Sequence, residues 1–216
     1  MKDQLQIIYD DEHLIVVDKP TGQLVIPGRG EGEGETLVAQ VTRHLGKKAF
    51  VLHRIDRETS GLVAFAKDAE THRTINMLWE SREVRKTYLA LVKGEVAQKE
   101  GIIDHPLKAF GSGRMGVDPK GPSSRTRYKV KEAYPGATLL EVAPETGRRH
   151  QIRVHLYHLG NPVMGDPLYG QERPVGGVPR LMLHASQLEI PYEGKLLTLT
   201  SPLPADFQSV LQSLKP

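Results

Sequence analysis

The chain has no cysteine among its 216 residues. That excludes disulfides, zinc ribbons, iron–sulfur clusters and thiol nucleophiles. It also has no long apolar run. Met1 to Asp10 carries charge early and lacks the stretch of a signal peptide or a membrane span. No membrane association is therefore expected, and a cytoplasmic location is. Charge of neither sign dominates: 29 Lys+Arg against 26 Asp+Glu leaves +3. Such a balance permits nucleic-acid binding without demanding it. No repeat and no low-complexity tail appears. Gly28 to Gly34 is glycine-rich, but it lacks the Gly-Lys-Ser/Thr ending of a phosphate loop, and its glutamates would repel phosphate. It reads as an exposed loop. His150, His155 and His158 are spaced by five and three, with no HExxH and no acidic cluster beside them. No metal and no cofactor is expected.

What the chain does have is one charged turn between apolar segments. His53-Arg54-Ile55-Asp56-Arg57-Glu58-Thr59-Ser60-Gly61 is flanked by Ala49–Leu52 and Leu62–Ala66. Two buried strands joined this way would present Asp56 on a loop rim, where catalytic groups tend to be placed. The flanking arginines would keep that carboxylate ionised and could bind phosphate. Taken alone, the turn reads rather as a surface Asp–Arg ion pair, since most such pairs are structural; the rest of the chain shifts that reading.

Strands and helices mix without a regular βα alternation, which points to an α+β fold, and 216 residues suit one good core or at most two small domains. Leu14–Val17 reads as a buried strand closed by Lys-Pro. Thr36 to Leu45 reads as a helix. Asp68 is placed to cap a second, over 69–82, in which Trp79 belongs to the core rather than to a base-stacking platform. Tyr88 to Val92, Ser124 to Ala133 and Thr138 to Val142 read as strands. Arg125, Arg127, Lys129 and Lys131 alternate onto one face, which is either solvated or turned to RNA. Residues 105–124 lack periodicity and read as a long exposed excursion. Thr146 to Leu159 reads as a helix capped by Thr146. Arg149 and Arg153 then lie one turn apart near an anion-favouring N-terminus.

Two further segments join the Asp56 turn: Arg85-Lys86-Thr87-Tyr88-Leu89-Ala90-Leu91-Val92, and Thr146-Gly147-Arg148-Arg149-His150-Gln151-Ile152-Arg153-Val154-His155-Leu156. With Asp18-Lys19-Pro20-Thr21-Gly22, Asn161–Asp166 and Arg180–Ala185, they resemble the RluA-type pseudouridine synthases in order and spacing, over roughly residues 7 to 207. The resemblance implies one catalytic domain over 1–216, a mixed, largely antiparallel sheet with helices and loops around a cleft, and an enzyme that isomerises uridine within ribosomal and/or transfer RNA. Asp56 matches the catalytic aspartate, Arg153 the arginine that pairs with it, and Tyr88 the tyrosine that meets the uracil. Arg54, Arg57, Arg148 and Arg149 are the expected RNA contacts. Ile152 and Leu183 are candidate walls of the uracil pocket, with core packing an equal alternative. A short form is expected, without the N-terminal RNA-binding domain of many relatives, acting as a monomer. Two competing functions remain: a carboxylate-dependent glycosidase, which would need a second acid near Asp56, and an RNA-binding relative that has lost catalysis.

Overall fold

The computed structural model describes residues 5–28, 34–111, 113–170 and 177–215. In chain order they form β1 (Gln6–Asp10), β2 (Leu14–Lys19), α1 (Leu37–Leu45), β3 (Phe50–Val51), β4 (Ser60–Ala66), α2 (Ala69–Glu80), β5 (Arg85–Lys93) and β6 (Glu100–Asp104). There follow β7 (Leu107–Ala109), β8 (Met115–Val117), β9 (Arg125–Tyr134), β10 (Ala137–Pro144), α3 (Gln151–His158), β11 (Leu183–Tyr192), β12 (Lys195–Thr200) and α4 (Ala205–Ser213). The α+β class is as expected. Two compact units emerge, Met1–Lys86 with Ala185–Pro202, and Thr87–His184 with Leu203–Pro216.

In the first unit the strands run β1-β2-β4-β11, with β3 beside β4 and β12 beside β11. Leu14–Val17 and all of β4 are buried, which explains why both read as continuous apolar runs rather than alternating ones. Leu14, Val16, Leu62, Ala64, Ile75 and Leu188 share one core cluster, and Trp79 packs against it as expected. Gly61 has φ +114, and a Cβ there would collide with the Ala185 backbone, so only glycine lets β4 and β11 approach this closely. The cap predicted at Asp68 is present, and Thr36 caps α1 in the same way. Thr36 accepts from the Ala39 N–H, and Asp68 from the Thr71 N–H at 2.8 Å. The Thr71 N–H bond is the main force holding the Asp68 carboxyl down, at about 2.

In the second unit the order is β5-β10-β9-β6, antiparallel, with Tyr88 opposite Val142. The basic stripe on β9 is answered by acids: Arg127 pairs with Glu145, and Lys131 with Glu141 at 3.1 Å. That favours the solvated reading of this face. Arg180 grips Asp206 at the start of α4 through two bonds of 2.7 and 3.0 Å.

Two elements depart from expectation. Residues 105–124 are not a structureless excursion; they hold the β7–β8 hairpin, in which Leu107 is fully buried and packs with Val154 and Tyr169. Tyr169 fixes the hairpin from outside by accepting the Met115 N–H at 3.0 Å. The third long helix begins at Gln151, not near Thr146. His150 has φ +54, and the Gln151 side chain accepts both the Arg148 N–H and the Thr146 hydroxyl, locking 146–150 as a turn. Arg149 therefore lies before the helix, and it does not share a helical line with Arg153. Of the glycine-rich segment, only Gly28 and Gly34 fall within the described residues.

Candidate active site

In the first unit the site is built on the loop from Leu52 to Thr59, which leaves β3 and enters β4. This loop is clamped by the turn that follows β2. Lys19 is fully buried, and its ammonium donates to the carbonyls of Pro20, Gln23 and Arg57 at 2.8, 2.9 and 3.0 Å. Gly22 N–H also donates to the Arg57 carbonyl, at 2.8 Å, and the Thr21 hydroxyl to the Glu58 carbonyl, at 2.7 Å. In return the Arg57 Nε donates to the Gly22 carbonyl at 2.9 Å. Thr59 N–H closes the loop on the Asp56 carbonyl at 3.2 Å. The backbone that carries Asp56 is thus pinned on its C-terminal side, while Arg54 and Arg57 stay exposed.

The N-terminal side of the loop is anchored by His53. Its Nε2 accepts the Ala64 N–H at 3.1 Å, and its ring stacks on Trp79 with centroids 4.7 Å apart. Burial, reinforced by the Lys86 charge, pushes the imidazole down to about 3 and keeps it neutral. Burial also pulls the Lys86 ammonium down to about 8.

The second unit carries the other candidates. Tyr88 lies in β5, 8% exposed. Arg153, on α3, is 1% exposed, and its Nε and Nη2 each reach an Asp166 oxygen at 2.7 Å. Asp166 is itself held by the N–H groups of Leu168 and Tyr169. The guanidinium lies 5.1 Å from the Tyr169 ring centroid, and the Tyr169 hydroxyl meets His150 Nδ1 at 2.8 Å. Ile152 and Leu183 are buried. Arg148 and Arg149 are exposed on the turn before α3.

Asp56, Arg54 and Arg57 are thus gathered on one loop. Tyr88, Arg148, Arg149, Ile152, Arg153 and Leu183 belong to the second unit. Asp166, Lys19 and Thr21 were missed as supporting groups. The signal for Asp166 was available, because an arginine on the apolar face of a helix needs a buried counter-ion. Among the described residues, no group of three or more His, Asp or Glu side chains is arranged to hold a metal. No described helix is long and apolar enough to cross a membrane.

A fold of this kind, with an aspartate on a clamped loop between buried strands, has clear relatives. The family model described as RNA pseudouridylate synthase matches residues 13–158. Ribosomal large subunit pseudouridine synthase D of Nitrosomonas europaea is 40% identical over 98% of this chain and 65% of its own length. The dual-specificity RNA pseudouridine synthase RluA of Salmonella typhi is 36% identical over 94% of both chains. Among solved structures, human RNA pseudouridylate synthase domain containing 1 superposes with a TM-score of 0.79 at 25% identity, covering 98% of this chain and 94% of that one. The chain belongs to the RNA pseudouridylate synthase family, whose members are isomerases acting on RNA. It spans about two thirds of the length of the synthase D relatives and nearly all of the RluA relative.

Proposed function

We propose that this chain converts uridines of ribosomal and/or transfer RNA into pseudouridine, with Asp56 as the catalytic carboxylate. The bond from ribose to uracil N1 breaks, the base turns, and C5 joins the ribose. Nothing is oxidised or reduced, and no co-reactant is consumed. Asp56 either attacks the sugar or removes a sugar proton on the way to a glycal; both roles need the carboxylate ionised. Arg153 supplies the cation for this. Its pair with Asp166 uses Nε and Nη2, which holds the guanidinium in one orientation. Tyr88 stacks on the extruded uracil or serves the C5 proton. Arg54, Arg57, Arg148 and Arg149 contact the RNA backbone, and Ile152 and Leu183 wall the base pocket. The enzyme works as a metal-free cytoplasmic monomer, so turnover should survive EDTA.

The observation that carries this reading is the Asp56 loop itself. It lies inside the family match and is tied by Lys19, Thr21 and Gly22. The test is tritium release from RNA labelled at uridine C5. Asp56→Asn should abolish release while leaving RNA affinity and thermal stability near those of the parent. Residual turnover within about tenfold of the parent would remove Asp56 from the chemistry.

A further inference from the structure

Beside the Asp56 loop, within the first unit, lies a cavity of about 760 Å³. Asp18, Pro20, Leu24, Leu37, Gln40 and Arg57 are among its lining residues. Its size lies in the range of small-molecule sites, and its wall is more polar than apolar, with Glu35 and Arg43 on it paired to each other. One polar group of the wall, Asp18, is unsatisfied, and a second, Arg57, is exposed there. Asp18 Oδ1 is shielded from solvent and has no donor among the described residues. Leaving such an acceptor unpaired is costly, and it is tolerated where a ligand completes it. Arg57 commits its Nε to the Gly22 carbonyl, which fixes the side chain at the cavity while its terminal nitrogens make no hydrogen bond among the described residues.

We propose that this cavity is a second base subsite that takes a guanine nucleotide of the substrate RNA, read by Asp18 and held by Arg57. The proposal rests on the RNA-modifying function above and deepens it. A carboxylate is acceptor-only, so it selects a base edge rich in donors. Guanine offers N1–H and the N2 amino group side by side, which match the two oxygens of one carboxylate. Adenine and cytosine offer one amino group beside a ring acceptor, and uracil one N–H between two carbonyls. Leu24 and Leu37 supply the apolar surface a base face needs, and the Arg57 terminal nitrogens suit a phosphate. Sequence-specific recognition of RNA works on such splayed, single-stranded bases.

The test uses the full chain and fluorescein-labelled RNA pentamers UUGUU, UUAUU and UUIUU, with affinity read by anisotropy at one salt concentration. UUGUU should bind at least tenfold tighter than UUAUU. Inosine, which keeps N1–H and lacks the amino group, should fall between them. Asp18→Asn should erase the preference and leave UUAUU binding unchanged. Gln40→Trp, which fills the cavity from the surface of α1, should lower UUGUU affinity at unaltered thermal stability. Equal binding of the three pentamers by the parent protein, or a preference that survives Asp18→Asn, would overturn the subsite. Guanosine monophosphate as competitor separates the two sources of guanine. Displacement only at concentrations a hundredfold above the UUGUU dissociation constant assigns the site to RNA. Equal affinity would overturn that assignment in favour of a soluble nucleotide. Tritium release measured on the same preparation keeps the two readings apart: turnover without guanine preference removes the subsite alone, and guanine preference without turnover removes the synthase reading.

Discussion

Arg153 has almost no contact with solvent, and both partners of its pair with Asp166 are out of water. Breaking such a pair by removing one charge typically costs about 3–5 kcal/mol, because the other is left buried alone. Arg153→Ala should therefore lower both stability and turnover. Arg153→Lys keeps the charge but loses the planar fork, so it should retain more turnover than alanine at saturating RNA. Parent-level turnover in both variants would show that no cation at this position is needed. Tyr88 separates stacking from proton transfer. If the hydroxyl handles the C5 proton, Tyr88→Phe should lose turnover and keep RNA affinity. If stacking is its whole role, Tyr88→Phe should be nearly silent and Tyr88→Leu should not, and silence in both would remove Tyr88 from the site. His53 makes a pH prediction. Its folded value, about 3, lies below the unfolded 6.5, so between those limits the unfolded chain binds the extra proton. The stability this group contributes is complete above pH 6.5 and is lost as pH falls toward 3. His53→Gln, whose amide oxygen can take the place of Nε2, can still accept the Ala64 N–H without titrating. It should flatten the acid limb of a denaturant-midpoint-versus-pH curve, and an unchanged limb would show that other groups set it.

At the level of elements, the turn after β2 and the loop before β4 behave as one piece, because Lys19 is shared between them. Lys19→Met keeps most of the volume but leaves the carbonyls of Pro20, Gln23 and Arg57 without that donor. Each such loss is worth about 1–3 kcal/mol when the group stays buried. The expected outcome is a fall in kcat with little change in KM, measured well below the melting temperature. A variant that melts earlier but turns over normally would show that the clamp serves only stability. The elements most legible in the sequence were those governed by short-range rules. Asp68 caps its helix as read, and the unbroken apolar runs of β2 and β4 reported strands covered on both faces. The start of α3 was misread because Thr146 looks like a cap, whereas its hydroxyl is taken by a side chain five residues on. The β7–β8 hairpin was missed because its order comes from Tyr169, some fifty residues away, and not from any local period. The Asp56 loop was legible as a motif. Its support was less so, since a buried lysine that serves three carbonyls leaves no pattern in the linear chain.

For the molecule as a whole, a formal charge of only +3 means that RNA affinity must come from a few placed cations rather than from a general field. The β9 stripe contributes little to this, because Glu145 and Glu141 already answer it. Arg54, Arg57, Arg148 and Arg149, all exposed, are the cations placed nearest the candidate site residues in sequence. Binding should weaken as salt rises, with a slope set by that small number, since each phosphate contact releases about one counterion. Arg54 allows a sharper distinction. It stands two residues before Asp56, where it could either hold a phosphate or fill the gap left by an extruded base. Extrusion costs a few kcal/mol when stacking must be broken and much less in a flexible strand. If Arg54 fills the gap, Arg54→Ala should lower kcat/KM more on a base-paired target than on a flexible one. If it only contacts phosphate, the losses should be equal, and the salt slope of binding should fall by about one. Measuring both substrates at one salt concentration, then repeating the binding across a salt series, separates these outcomes: equal losses with a reduced slope leave Arg54 a phosphate contact and remove it from base extrusion.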